Sequence, residues 1–207
     1  MNSHRIIFYI DGFNLYFGLK SMGWRHFYWL DLQQMCARLT LPYQRLVKIR
    51  YFTARINKAA EDKRKRQLTY LEAIETLPLL NIHYGTYLAS AQTCFKCGHT
   101  FMKHSEKKSD VNIAVNLITD AMTDLYDSAV LISGDSDLTP AVDAIKTHFP
   151  GKRVLLYFPP KRSSHSLRKA CHVYCGVLNR TTISKSQLPD VVTSKSGYPL
   201  KRPDHWK

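Results

Sequence analysis

Short apolar runs alternate with amphipathic ones along this chain. The run RIIFYI, Arg5 to Ile10, closes on Asp11-Gly12, the pattern of a strand buried on both faces. LDLQQMCARL, Leu30 to Leu39, predicts a helix opened by Asp31, and RLVKIRYFTA, Arg45 to Ala54, a second strand. A long helix follows over NKAAEDKRKRQLTYLEAIETL, and LNIHYGTYL, Leu80 to Leu88, reads as a third strand. After a segment read as irregular, Val111, Ala114, Val115, Ile118, Ala121, Met122 and Leu125 keep one stripe at helical spacing. The strand SAVLIS, a helix from about Leu138 to Phe149 and the strand KRVLLYF complete the pattern. Such a βα order implies a parallel sheet with helices on both faces. The unit expected is residues 1–178, with a Cys-containing insert at about 90–106. A polar, proline-dotted tail, 179–207, is expected to drape on it or to be partly disordered.

Charge changes the picture next. Lys and Arg number 30 against 16 Asp and Glu, a formal +14 over 207 residues. That balance favours a polyanionic partner, nucleic acid before membrane. No stretch approaches the ~20 apolar residues of a membrane helix, and no membrane partner is expected. The N-terminus reads as free of a cleavable apolar segment, so the expected location is cytoplasmic. Five cysteines, an odd and sparse set, argue against a disulfide framework.

Against that basic background the acids stand out. In open parallel sheets, ligands bind beyond the carboxyl ends of the strands. Asp11 follows the first strand there, and Asp135 and Asp137 follow SAVLIS in the turn SGDSD. Asp110 joins them if its helix starts at the same edge. Carboxylates crowded in a cleft repel one another unless protonated or bridged by a cation. An all-oxygen set suits Mg²⁺ or Mn²⁺, which also bind substrate phosphate. Taken singly, each acid has a simpler role as a turn residue or helix cap.

YIDGFNLYFGL, EKKSDVNIAVNLITDA and LISGDSDLTPAVDAIK, in that order, resemble the motifs of the NYN domain family, a branch of the PIN-like nucleases. The resemblance runs from about Arg5 to Val177. It implies a PIN-like three-layer α/β/α domain with a central parallel sheet of about five strands, and metal-dependent ribonuclease activity. It makes Asp11, Asp110, Asp135 and Asp137 the catalytic, metal-binding acids, Asn14 a polar partner of bound water or phosphate, and Ser133 a hydrogen-bonding partner in the pocket. Asn116 stands where relatives carry a further Asp, which bears on metal affinity and on activity.

Cys94-x-x-Cys97 is half of a zinc motif. His99 and His104 are local candidates for the other half, Cys171 and Cys175 distant ones, and the expected ion is a structural Zn²⁺. The alternative is two free thiols on a loop. Lys161, Arg162 and Arg168 in KRSSHSLRK, with Lys108 beside Asp110, are candidate phosphate-binding residues. Tyr16, Phe17, Trp24 and Trp29 near the first motif could stack on unpaired bases, or belong to the core. The expected activity is a metal-dependent endoribonuclease, with RNA as partner and a homo-oligomer open. The first alternative is a non-catalytic RNA-binding module. The second is a haloacid-dehalogenase-like phosphatase, disfavoured because Asp11-Gly12-Phe13 lacks that family's second Asp.

Overall fold

A computed structural model describes residues 4–56 and 60–207, with the side chains at 87–90 and 102–106 outside that description. The strands β1 (His4–Asp11), β2 (Gln44–Thr53), β3 (Leu80–Tyr84), β6 (Ser128–Ile132), β7 (Arg153–Phe158) and β8 (Val173–Val177) form one sheet in the order β3-β2-β1-β6-β7-β8. Every neighbouring pair is parallel. The chain winds outward from β1 through β2 and β3 on one side and through β6, β7 and β8 on the other. The winding therefore reverses between β1 and β6.

Both faces of the sheet are covered, which is why its central strands read as unbroken apolar runs. On one face Ile6, Phe8, Ile10, Val130 and Ile132 pack against α1 (Gly12–Ser21), α2 (Leu32–Leu39) and α3 (Glu61–Ile74). On the other, Ile7, Tyr9, Leu131 and Leu156 pack against α4 (Ser109–Met122), α5 (Thr139–His148) and α6 (His165–Ala170). Asp31 caps α2 as its position predicts, accepting from Gln34 N at 2.8 Å.

The sheet has six strands rather than about five. The sixth is β8, formed by the segment HVYCGV that carries Cys175. The strand expected over Leu80–Leu88 ends at Tyr84, and its last residues join the segment read as irregular in a two-stranded antiparallel ribbon, β4 (Thr86–Thr93) paired with β5 (Thr100–Lys107). TYLASAQT and TFMKHSEK show no regular alternation of apolar and polar residues, so only their Thr, Tyr and Phe content hinted at strand.

Beyond Leu178 the chain forms α7 (Arg180–Ser184), the hairpin of β9 (Val191–Thr193) and β10 (Pro199–Lys201), and a last turn that buries Trp206. Trp206 lies against Tyr28, Trp29 and Tyr70, with ring centroids 5.8 to 6.3 Å away. Among the described residues no helix is long and apolar enough to cross a membrane.

Candidate active site at the carboxyl edge

The winding reverses between β1 and β6, and in sheets of this kind ligands usually bind beyond the carboxyl ends of the strands at such a reversal. Asp11 is the last residue of β1, and only 2% of its surface is exposed. Its carboxylate receives three donors. Asn14 N reaches Oδ1 at 2.9 Å, while Asn14 Nδ2 and Ser133 Oγ reach Oδ2 at 2.6 and 2.9 Å. Ser133 is fully buried, and its hydroxyl also accepts from Asp135 N at 3.1 Å. One serine oxygen therefore ties the acid of β1 to the acidic turn after β6. Asn14 adds a second tie, accepting from Gly134 N at 3.3 Å.

Burial pushes the Asp11 carboxyl above the usual carboxylate range; its hydrogen bonds oppose the shift and the Asp135 charge adds to it. The close fit at this edge needs glycine. A β-carbon on Gly12 would meet Phe52 O at 2.6 Å and the Tyr51 ring at 2.8 Å, and one on Gly134 would meet Arg162 at 3.0 Å.

Asp135 accepts from Asp137 N at 3.0 Å and so caps the 3-10 turn Ser136–Leu138. Asp137 is exposed on that turn. Asp110 is the second residue of α4 and is partly buried. The turn after α4 meets the start of β1, with Asp127 N donating to Arg5 O at 3.0 Å. Fourteen residues of helix span about 21 Å, so the other end of α4, with Asp110, reaches the carboxyl edge. Among the described residues no three His, Cys, Asp or Glu side chains group closely enough to hold one ion.

The cations divide. Arg162 lies against Gly134 and holds its guanidinium 5.6 Å from the Phe17 ring centre, and its buried Nε has no hydrogen-bond partner among the described residues. Lys161, beside it, is exposed in left-handed backbone at φ 57°, and Lys108 is exposed at φ 76° where it precedes α4. Arg168 instead stacks on Tyr174 of β8 at 4.4 Å. Of the four aromatics near the first motif, Tyr16 and Phe17 are exposed on α1, whereas Trp29 is fully buried and Trp24 packs against the same core.

Cys94 and Cys97 sit at the tip of the β4–β5 ribbon. The ribbon pairs His104 with Ala89, and the His104 side chain lies outside the described residues. Cys171 and Cys175 flank or occupy β8, at the edge of the sheet opposite β3, and among the described residues they do not group with Cys94 and Cys97.

Several residues near the site carried no signal in the sequence. Tyr51, whose ring stands beside Gly12, flanks the end of β1, and only its place near the end of β2 could have marked it. Asp120, buried inside α4, accepts from Tyr9 Oη at 2.6 Å and pairs with Arg50 at 2.5 Å. Arg50 in turn contacts His83 at 3.1 Å.

A curated relative, the 6-hydroxy-3-succinoylpyridine 3-monooxygenase HspA of Pseudomonas putida (strain DSM 28022 / S16), is 27% identical over 236 residues, covering 96% of this chain and 74% of that protein. The crystal structure of a protein of unknown function from Vibrio parahaemolyticus RIMD 2210633 superposes with a TM-score of 0.60 at 19% identity. That match covers 90% of this chain and 97% of the other, and it shows a shared fold. The NYN domain family model matches residues 5–201, from the first strand to the last. With the acidic edge of a parallel sheet at its centre and that match along nearly its whole length, the chain belongs to the NYN domain family, a nuclease-like family of the PIN fold.

Proposed function

We propose that the carboxyl edge at β1 and β6 is the centre of a metal-dependent endoribonuclease. The observation that carries this reading is the Ser133 hydroxyl, which joins Asp11 to Asp135 where the sheet reverses its winding. The donors fit a hard dication that keeps several waters and takes one or two carboxylates from the protein. Asp11 and Asp135 would hold Mg²⁺ or Mn²⁺, with Asp110 and Asp137 adding negative charge from the same edge. The chemistry supplied by such an ion is the acidification of a water and the shielding of phosphoryl oxygens.

The chain's own groups do the rest. Asn14 and Ser133 keep the Asp11 carboxylate in one orientation, and the Asp135 charge stays beside it because the same serine receives its backbone amide. Arg162, with an unused donor, takes a phosphate oxygen and offsets charge developing at phosphorus. Lys108 and Lys161 draw in the backbone that the acids alone would repel. Phe17 and Tyr16 offer faces to unpaired bases. Single-stranded RNA fits this arrangement best, since stacking needs splayed bases.

Cleavage of mixed RNA and DNA substrates with Mn²⁺, Mg²⁺ or EDTA tests the reading. Wild type is expected to cut RNA with either ion and to stop in EDTA. Asp11→Asn and Asp135→Asn each lose about 10²-fold or more, the scale of removing one group that stabilises transition-state charge. Undiminished cutting by Asp135→Asn would rule out this centre.

Asn116 favours a second reading, an RNA-binding module without turnover, because its amide donates to Asn112 O of its own helix at 2.8 Å. Salt-sensitive RNA binding that survives EDTA with no product would select it. The likeness to the Pseudomonas putida enzyme favours a third, oxygenation of a small pyridine compound. A monooxygenation consumes O₂ and two reducing equivalents, so O₂ uptake on adding 6-hydroxy-3-succinoylpyridine with a reduced nicotinamide donor would detect it.

A further inference from the structure

The tip of the β4–β5 ribbon is built for a task the acidic edge does not use. Its turn is Cys94-Phe95-Lys96-Cys97-Gly98-His99. Cys94 N donates to His99 O and Gly98 N to Cys94 O, both at 2.9 Å. Gly98 takes φ 68°, a conformation that glycine adopts without steric cost. That curl brings Cys94 and Cys97 to one tight turn, and hydrogen bonding from the Lys96 and Cys97 amides and the Cys97 thiol pulls the Cys94 thiol below its ordinary pKa. The thiolate is the form that binds soft metals.

A closed Zn²⁺ site takes four ligands, and the described chain brings two thiols and at most one imidazole to the tip. His99 is the neighbour in the turn. His104 sits four residues down β5 from Thr100, about 13 Å along the strand. Cys175 lies on β8, at the far edge of the main sheet from β3, and among the described residues no third His, Cys, Asp or Glu groups with Cys94 and Cys97. Between the two thiols, meanwhile, Phe95 is 107% exposed, and Phe101 is exposed two residues beyond the turn. Burying that ring against a partner would remove apolar surface from water beside the two thiols.

We propose that Cys94 and Cys97 form half of a tetrahedral Zn²⁺ site completed by the same two residues of a second copy, so that two ribbons meet tip to tip. A two-fold axis through the ion makes the contact self-complementary and closed, the commonest symmetry of homo-oligomers. Phe95 of each copy is then covered by the other. Four thiols release four protons to solvent as one ion binds, and no oxidant is required. Lys96 of each copy offsets part of the negative charge left on the four sulfurs.

The inference is independent of the nuclease reading, and its test does not use activity. Full-length untagged protein is loaded with Zn²⁺, its metal content measured by mass spectrometry and its molar mass by light scattering. The expected result is one zinc per two chains in a dimer that a zinc chelator converts to monomer. Cys97→Ser abolishes both zinc and dimer with an unchanged thermal melt, since the tip lies outside the packed core. Cys94→Ser does the same, and Phe95→Ser weakens the dimer at least tenfold. Absence of zinc, or one zinc per monomeric chain, would overturn the proposal. So would a dimer dispersed by a thiol reductant and untouched by chelator, because that is a disulfide.

Discussion

Two carboxylates at opposite ends of β1 meet contrary surroundings. Asp127, at the amino end, accepts from Arg5 N and Arg5 Nη2, both at 2.7 Å, and this pairing pulls its carboxyl down to about 2. Asp11, at the carboxyl end, is pushed upward because burial outweighs the donors around it. The amino edge thus uses its acid for stability, while the carboxyl edge holds one at a cost, as sites that must bind a cation do. Because the Asp127 value is depressed on folding, its stabilisation is present above the ordinary carboxylate value of 3.8 and lost as pH falls toward about 2. Solvent reaches the pair, so the contribution is about 1 kcal/mol or less. Urea midpoints of wild type should fall more steeply from pH 4 to pH 2 than those of Asp127→Asn; parallel curves would contradict the pairing. Asp11, Asn14 and Ser133 were legible one by one as strand-end residues. Their mutual hydrogen bonds were not, because Asp11 and Ser133 stand 122 positions apart.

The element that carries Asp110 to the carboxyl edge of the sheet is α4, and a buried ion pair holds it in place. Asp120 joins Arg50 of β2 and Tyr9 of β1 from beneath the helix, with 2% and 12% of the two charged side chains exposed. Such a pair adds little over an apolar contact, yet removing one partner strands a buried charge. Asp120→Ala should therefore cost about 3–5 kcal/mol, read as a lower urea midpoint, whereas replacing Asp120 and Arg50 together by Leu should cost much less. A double variant as unstable as the single one would show that the helix is held otherwise. The stripe expected from Val111 to Leu125 is not the face that packs: Val111, Val115, Met122 and Leu125 are exposed, while Ile113, Leu117 and Ala121 lie against the sheet. The buried Asp120 shifts the packed face away from that stripe, and an Asp within a helix ordinarily reads as exposed. The β4–β5 ribbon escaped for another reason: its two strands carry no regular apolar alternation to detect.

At the scale of the molecule, the tail closes the α1–α3 face of the sheet. Trp206 fills the space among Tyr28, Trp29 and Tyr70, and Trp29 Nε1 donates to Pro189 O at 2.7 Å. Trp206→Ala should cost about 3 kcal/mol, the lower end for emptying a large aromatic site, and the loss should appear in global unfolding. A melt that left the core unaffected would show that the tail is a separate layer. The polar composition of the tail gave no warning, because its anchors Ile183, Leu188, Leu200 and Trp206 are isolated among polar residues and show no period. What the sequence by itself determined is local or periodic: the alternation of strands and helices, the acids at strand ends, the three NYN motifs and the excess of basic charge. Each rests on neighbours a few positions apart, where steric preference and hydrophobic period act directly. What only the tertiary structure decided is which distant groups meet. Strand order placed the reversal between β1 and β6, put Ser133 between two acids and set Cys175 at the edge opposite β3. Those outcomes depend on how whole elements pack, and no spacing along the chain encodes them.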